Sequence, residues 1–230
     1  MKMMPDIRSR LEDPRNYDRL IPLVIPHWEA FYGTVAEFVP PGAEEVLELA
    51  SGTGVLSAFI RKIRPSVHLT CIERNPAALA IAREKPDLAG TVWIEADIRK
   101  AWPERPYDAI VSTQCLFQLS PDDREEIALR AHGVLTEGGC FLNGDLFHPG
   151  TAWELDLSID AWCRFMQNSG LTEQESRAMI GPLEPMIQGY TIEAWSALLT
   201  SVGFARVAIP YRSGLYAIVA GFRDPAVESQ

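Results

Sequence analysis

The chain has 230 residues, of which 47% are hydrophobic and 23% charged, proportions that are typical of a folded globular protein and exclude disorder as its main state. Its 31 acidic and 21 basic residues give a formal net charge of −10, which disfavours general binding to nucleic acid phosphates. The sequence has no run of about 18 apolar residues, as a membrane-spanning helix needs, and no apolar run typical of a signal peptide. We therefore expect a cytoplasmic protein that binds neither nucleic acid nor membrane.

The four cysteines lie in apolar segments and form no CxxC pair; they are Cys71, Cys115, Cys140 and Cys163. This pattern predicts reduced, buried thiols, with no disulfide framework and no metal site.

The chain opens with an amphipathic segment that is rich in aromatic residues and prolines. A Pro/Gly link, EFVPPGAEE, joins it to the remainder of the chain. We predict a helical arm over residues 1–40 that acts as a lid, because such a segment has few local contacts of its own.

Five short apolar runs alternate with longer amphipathic stretches after the arm. The runs are rich in β-branched and aromatic residues, as buried parallel strands are; they cover residues 45–50, 67–73, 91–96, 107–112 and 139–145. The stretches between them have helical spacing, and one of them begins at Ser120, a good N-cap residue that Pro121 follows. Strand–helix alternation predicts an α/β fold with a parallel sheet and helices on both faces.

The alternation ends near residue 150. Residues 151–187 are predicted to form an insert of two helices, with Gly170 ending the first and Thr172 capping the second. Another helix follows Thr191. Two strands, 205–211 and 215–222, are separated only by RSG and are therefore predicted to be antiparallel neighbours. These elements complete a domain over residues 41–223, which leaves a short tail at 224–230.

A glycine-containing loop follows the first predicted strand, in VLELASGTG (46–54). Gly52 and Gly54 allow close approach of a ligand to the backbone. Glu73 ends the next strand about 20 residues on, where an acid can accept both hydroxyls of a ribose. Asp97 ends the third strand, at the same sheet edge, where it can accept an adenine amine. A turn without a ligand and a solvated strand end remain the alternatives.

The sequence resembles class I S-adenosylmethionine (SAM)-dependent methyltransferases. The matching segments, in order, are VLELASGTG, CIERN, IEADIR, YDAIVSTQCLFQLS and LTEGGCFLNGD. The opening YDRLIPLVIPHWEAFYG is similar to the arm of a branch of small methyltransferases, and TQCLFQLSPDDRE is similar to carboxy-SAM synthases. The resemblance covers about residues 45–223. It implies a Rossmann-like, mostly parallel seven-stranded sheet with an antiparallel last strand, and SAM as the cofactor.

The resemblance also implies roles for single residues. Glu73 would hold the ribose, Asp97 and the Ile98 backbone the adenine, and Tyr17 the methionine carboxylate. The remaining methionine-facing positions would be Ala50, Ser51, Gly52, Gly54, Ser112, Thr113 and Gln114. Two positions depart from the family pattern, since Ala50 replaces a glycine, and Phe117-Gln118 replaces a histidine that is a candidate base.

We expect the arm and the 151–187 insert to cover the acceptor pocket. Aromatic side chains are candidates to line it, although packing of the insert explains each of them equally; they are Trp28, Phe31, Tyr32, Phe147, Trp153, Trp162, Phe165, Tyr190 and Tyr211. Polar candidates follow the fifth strand at Asn143, Asp145 and His148. Our candidate catalytic residues are Asn143, Tyr190 and Tyr211.

The sequence leaves three functions open. The first is transfer of the SAM methyl group to a small-molecule acceptor. The second is an enzyme with SAM as its own substrate, in which the SAM amine attacks its side chain to form azetidine-2-carboxylate and release methylthioadenosine. The third is a SAM-binding protein without catalysis. A homodimer is possible, and neither the acceptor nor the oligomeric state follows from the sequence.

Overall fold

The computed structural model describes residues 7–224; residues 1–6 of the predicted arm and 225–230 of the predicted tail lie outside the described residues. One sheet of seven strands forms the centre of the molecule. The strands are β1 (Glu45–Leu49), β2 (His68–Glu73), β3 (Val92–Glu95), β4 (Tyr107–Thr113), β5 (Leu135–Leu146), β6 (Arg206–Ser213) and β7 (Tyr216–Phe222).

The strand order across the sheet is β3-β2-β1-β4-β5-β7-β6. β1 pairs in parallel with both β2 and β4, whereas β7 is antiparallel to its neighbours β5 and β6. The predicted fold class is therefore confirmed. The chain order reverses between β1 and β4, which creates a crevice at the carboxyl ends of these strands, where ligands bind in open α/β sheets.

Ten α-helices flank the sheet within residues 7–224. They are α1 (Ile7–Glu12), α2 (Pro14–Val24), α3 (Trp28–Phe38), α4 (Val55–Ile63), α5 (Pro76–Glu84), α6 (Pro121–Val134), α7 (Ala152–Asn168), α8 (Glu173–Ile180), α9 (Glu184–Ile187) and α10 (Ile192–Ser201). Side chains cap the starts of α2, α5, α6, α7, α8 and α10 by accepting a backbone N–H, and these caps are Asp13, Asn75, Ser120, Thr151, Thr172 and Thr191. Each cap satisfies a donor that the first turn leaves free.

Two predicted elements differ from the structure. β5 begins at Leu135 rather than near residue 139, because Leu135 pairs with Tyr107 before the register shifts. The second helix of the insert ends at Ile180, and a separate short helix follows. Pro182 lacks the backbone N–H that would continue the hydrogen bonds of α8, which explains the break, although Gly181 itself keeps helical backbone.

The arm consists of α1, α2 and α3, and its last helix is part of the core. Phe31, Val35 and Ala36 are fully buried in the same hydrophobic cluster as the sheet. The Trp162 indole of α7 donates a 2.6 Å hydrogen bond to the Val24 carbonyl, which joins the arm to the insert. The hydrophobic core therefore continues across residue 40, and the division into an arm and a domain stays a prediction.

In residues 7–224 the three thiols of Cys71, Cys140 and Cys163 are buried and Cys115 is partly buried, all four unpaired. The same residues contain neither a helix able to cross a membrane nor a cluster of His, Cys, Asp and Glu able to hold a metal ion.

Candidate functional site

A cavity of about 370 Å³ lies over the carboxyl ends of β1, β2, β3 and β4. Its size is within the range of small-molecule and cofactor sites. The arm closes one side of it, and the loops that follow the strands close the others. The lining residues are Leu11, Glu12, Pro14, Tyr17, Ala50, Gly52, Thr53, Glu73, Arg74, Asn75, Ala78, Ala96, Asp97, Ile98, Arg99, Thr113, Gln114, Cys115, Gln118 and Leu119.

The loop between β1 and α4 exposes backbone to this cavity. Ala50, Gly52 and Gly54 have φ values of +56°, +55° and +80°, in the left-handed region that favours glycine. A Cβ at Gly54 would lie 2.7 Å from the Leu88 Cδ1 atom, whereas no atom lies within 4 Å of a Cβ placed on Gly52. Gly54 therefore permits packing of α4, and Gly52 leaves open space for a ligand. Ala50 adopts the same left-handed conformation although it is not glycine, and its side chain adds only a methyl group to the loop.

Glu73 is held in place by two backbone amides. Its Oε2 accepts the Gly52 N–H at 2.9 Å and its Oε1 accepts the Asn75 N–H at 2.8 Å, and the residue is 8% exposed. Each carboxylate oxygen keeps a further acceptor position, so both oxygens are able to accept ligand hydroxyls. The same contacts tie the glycine loop to the end of β2.

Asp97 is held by Arg99. The guanidinium donates to both carboxylate oxygens, at 3.0 and 2.6 Å, and the Arg99 N–H donates to Oδ1 at 3.0 Å. These side-chain and backbone hydrogen bonds hold the pKa of Asp97 far below its ordinary value, so the carboxylate is an acceptor at any physiological pH. The Trp102 indole donates to the Ile98 carbonyl at 2.5 Å and orients the adjacent peptide.

A turn at residues 114–118 follows β4 and forms the wall opposite the glycine loop. Gln114 has φ +55°, and its N–H donates to the Gly144 carbonyl at 2.9 Å. Its Nε2 is buried without a hydrogen-bond partner. A strained residue with an unsatisfied donor at a cavity wall is the kind of feature that a ligand resolves.

A second cavity, of about 200 Å³, adjoins the first. Leu11, Glu12, Tyr17, Gln114 and Gln118 line both cavities, so the two spaces meet along these side chains. The other walls are mostly apolar; they are Arg8, Ile21, Val24, Ile25, Phe117, Leu146, Met179, Leu183, Met186 and Tyr216.

The structure brings most of the predicted cofactor residues together at the first cavity: Tyr17, Ala50, Gly52, Glu73, Asp97, Ile98, Thr113 and Gln114. Ser51 and Gly54 lie in the same loop but do not line the cavity, and Ser112 is fully buried. Tyr17 also hydrogen-bonds to Tyr32. The role of each residue toward a ligand stays a prediction.

The predicted catalytic and acceptor residues lie elsewhere. The Asn143 Nδ2 donates to the Tyr190 hydroxyl at 2.7 Å, and both residues are buried without lining either cavity. The Tyr211 hydroxyl interacts with the Ser213 side chain, and Tyr211 lines neither cavity. None of the nine predicted aromatic residues lines either cavity, and Trp153 is 74% exposed.

The walls of the second cavity were not predicted from the sequence. Leu11, Met179 and Met186 come from α1, α8 and α9, and helical spacing does not distinguish a cavity wall from ordinary core. The departure from the family at Phe117-Gln118 was the one available signal, since both residues line the second cavity.

Comparisons with known proteins bear on the predicted resemblance. Residues 46–139 match the family model of a methyltransferase domain. Carboxy-SAM synthases from Chromohalobacter salexigens and Campylobacter concisus are similar over most of the chain. The first is 25% identical over 84% of this chain and 73% of that protein; the second is 22% identical over 90% of each.

Solved structures share the fold at lower identity. An O-methyltransferase family protein from Burkholderia thailandensis has a TM-score of 0.65 at 17% identity, covering 93% of this chain and 60% of that one. Human N-acetylserotonin methyltransferase, in complex with SAM, has a TM-score of 0.63 at 14% identity, covering 94% and 56%. The chain thus spans about 60% of the length of these structures. The predicted resemblance is confirmed at the level of the fold, which this chain shares with these methyltransferase structures, and residues 46–139 match a methyltransferase domain.

Proposed function

We propose that this protein is a SAM-dependent methyltransferase that acts on a small-molecule acceptor. The residues present fit SAM, because the first cavity offers paired carboxylate acceptors at Glu73, open space above Gly52 and an unsatisfied donor at Gln114. Glu73 would hold the ribose hydroxyls, Asp97 and Ile98 the adenine, and the loop around Gly52 the methionine part. SAM, when bound, supplies an electrophilic methyl carbon on a sulfonium whose leaving group needs no protonation.

The second cavity is the observation that carries the acceptor part of this proposal. It meets the first cavity at Gln114 and Gln118, so it offers a separate space for a second molecule next to the cofactor. Its Ile, Val, Leu and Met walls fit an apolar body of modest size. Positioning two reactants in line and excluding water are the main contributions that a protein makes to such a transfer.

The side chains of this site would position the reactants and exclude water rather than transfer protons. Burial raises the pKa of the Tyr17 hydroxyl and of the Cys115 thiol, so both are neutral near pH 7. Glu73 and Asp97 are occupied by backbone amides and Arg99. We infer an acceptor atom that reaches the site already free of its proton, since a base is required only for a protonated nucleophile.

A second candidate function follows from the relatives that match over most of the chain. They are named carboxy-SAM synthases, a name that describes a modified SAM as the product. This similarity favours, as the second candidate, an enzyme for which SAM is itself the substrate, including the ring closure to azetidine-2-carboxylate.

Binding and product analysis test both candidates. Calorimetry should detect binding of SAM and S-adenosylhomocysteine (SAH) but not of NAD, and equal binding of NAD would contradict the cofactor assignment. The protein is then incubated with SAM alone and with SAM plus a cell extract. Release of SAH only with the extract supports methyl transfer. Methylthioadenosine from SAM alone supports the ring closure, and a modified SAM as product supports the broader second candidate. Binding without any of these products indicates a protein that only binds SAM.

A further inference from the structure

A buried polar cluster lies beneath the turn at residues 114–118, on the side away from the cavities. It contains Asp145 of β5 and three further residues, Asn143, Arg124 and Tyr190, which we call the Asp145 cluster. We propose that Asp145 is the positioning residue of the ligand site: it holds the 114–118 turn through the turn's backbone amides, and its ionisation couples the order of this wall to pH. This inference rests on the proposed cofactor site but assigns a residue that the site itself does not contain.

Asp145 is placed to hold the turn from beneath. It is 0% exposed, and its Oδ2 accepts the Phe117 N–H at 3.0 Å. The Cys115 and Leu116 backbone lies close enough to lower the pKa of this carboxyl. One side chain of β5 therefore faces three consecutive peptides and is bonded to the last of them, in the turn that carries Gln114 and Gln118 into both cavities.

The rest of the cluster contains polar groups whose pairing is incomplete. The Oδ1 atoms of both Asp145 and Asn143 are buried without a partner. The Arg124 guanidinium lies 4.2 Å from the centre of the Tyr190 ring and donates one long hydrogen bond, 3.4 Å, to the Ser120 carbonyl. Arg124 is only 8% exposed. Buried groups that are not fully paired are costly, so a role in the site explains their presence better than stability does.

Four titratable side chains from the surrounding elements interact with Asp145. Arg124 of α6 attracts the carboxylate, whereas Tyr190, Cys115 and Tyr216 are neutral groups whose own ionisation it opposes. Burial raises the pKa of the Asp145 carboxyl to about 7, and the turn amides and Asn143 only partly offset this effect. Asp145 therefore gains its charge within the physiological range of pH.

The ionised carboxylate is the stronger acceptor for the turn amides, because hydrogen bonds to a charged group are about twice as strong as neutral ones. The turn is thus held most firmly above pH 7, and a ligand that contacts Gln114 should bind more tightly there. Histidine is the usual residue that titrates in this range, but none of the four histidines lines either cavity.

The test compares the wild type with Asp145→Asn, which keeps the shape and one acceptor oxygen but removes the charge. SAH is titrated calorimetrically into both proteins at pH 6, 7 and 8. Ionisation of the SAH amine affects both proteins equally and therefore cancels in the ratio of their dissociation constants. We expect the ratio of dissociation constants, variant over wild type, to rise about 5–10-fold from pH 6 to pH 8. A ratio that does not change with pH would overturn the proposal.

Asp108→Asn is the matched control, because Asp108 also accepts two backbone amides, at Glu44 and Glu45, but at the opposite edge of the sheet. The ratio of the SAH dissociation constants of Asp108→Asn and the wild type should stay constant with pH. Glu48→Gln removes the other buried carboxyl that titrates near neutrality, and the Asp145 effect should persist in that background. Two results would contradict the assignment of this pH dependence to Asp145. One is an equal change of the ratio with pH in Asp108→Asn, and the other is loss of the pH-dependent change in the Glu48→Gln background.

Hydrogen exchange of the ligand-free protein separates this inference from the cofactor assignment. After correction for the intrinsic rate, the amides of residues 115–117 should exchange about 5–10-fold faster in Asp145→Asn than in the wild type at pH 8. The two proteins should be nearly equal at pH 6. Equal exchange at both pH values would refute the positioning role, whether or not SAH binds.

Discussion

At the residue scale, Glu73 is predicted to accept ribose hydroxyls, and its carboxylate also accepts backbone amides that the sequence did not indicate. Its position after β2 predicted a ribose acceptor, whereas the structure adds that both oxygens already accept backbone amides, from Gly52 and Asn75. The carboxylate is thus oriented before any ligand arrives. Preorganised groups lose little conformational entropy on binding, so their hydrogen bonds contribute more to affinity.

We expect Glu73→Ala to weaken SAH binding at least ~10-fold, because each hydrogen bond to a charged group contributes roughly 1.5–3 kcal/mol. Glu95→Ala is a matched control, since Glu95 is the exposed residue that pairs with Glu73 across β2 and β3. Calorimetry should show an unchanged affinity for that control. Normal binding by Glu73→Ala would mean that its carboxylate contributes nothing to the ligand.

At the scale of elements, the arm divides into two parts with different contacts. α3 is buried in the core through Phe31 and Val35, and α2 adds Leu20 and Ile21 to the same hydrophobic cluster. α2 is also linked to the loop after β1 by Asp18, which accepts the Thr53 hydroxyl at 2.5 Å and forms an ion pair with Lys85 at 2.5 Å. We expect any lid movement to concern α1 and α2, because residues of these helices line the first cavity and those of α3 do not.

Hydrogen exchange tests this lid directly. We expect the amides of α1 and α2 to gain protection when SAH is added, because Leu11 and Tyr17 line the cavity that it would fill. The amides of α6 should change little, and those of α3 should be protected in both states. Asp18→Asn should speed the exchange of α2 without ligand. Complete protection of α2 before SAH is added would identify it as a fixed part of the core.

The elements that could be predicted are those whose ends depend on residues close together in the sequence. The helix starts at Ser120, Thr172 and Thr191 were recognisable because a capping side chain and the backbone amide that it binds lie within three residues. The break of the predicted second insert helix before α9 was missed, although Pro182, which lacks a backbone N–H, offered a signal for it. The extension of β5 back to Leu135 depends on pairing with β4, which no local pattern contains.

At the scale of the whole molecule, the residues of the first cavity were predictable from the sequence and those of the second cavity were not. Gly52, Glu73 and Asp97 follow strands, and parallel strands place their carboxyl ends at one edge. The second cavity is formed by side chains from α1, α8 and α9 with the turn after β4. Its position depends on how distant helices pack, so the aromatic residues predicted to line it proved to be packed or exposed elsewhere.

Two buried carboxyls also make the stability of the whole molecule depend on pH. Burial raises the pKa of Glu48 to about 8 and that of Asp145 to about 7, and Glu48 is 2% exposed. In the unfolded chain both groups ionise near pH 4. Between about pH 5 and 7 the folded state therefore holds up to two more protons than the unfolded state, and stability falls as the pH rises.

We expect the free energy of unfolding to decrease from pH 5.5 to 7, by up to about 1.4 kcal/mol per pH unit for each of the two groups. Asp145 is mostly ionised by pH 8 and Glu48 by about pH 9, where the decrease should end. Asp97 and Asp108 have lowered pKa values, so their contributions are lost only below about pH 4 and do not enter this range. Urea unfolding of the wild type, Glu48→Gln and the double variant with Asp145→Asn should show the slope decreasing in two steps. An equal slope in all three proteins would show that neither carboxyl is protonated in the native state.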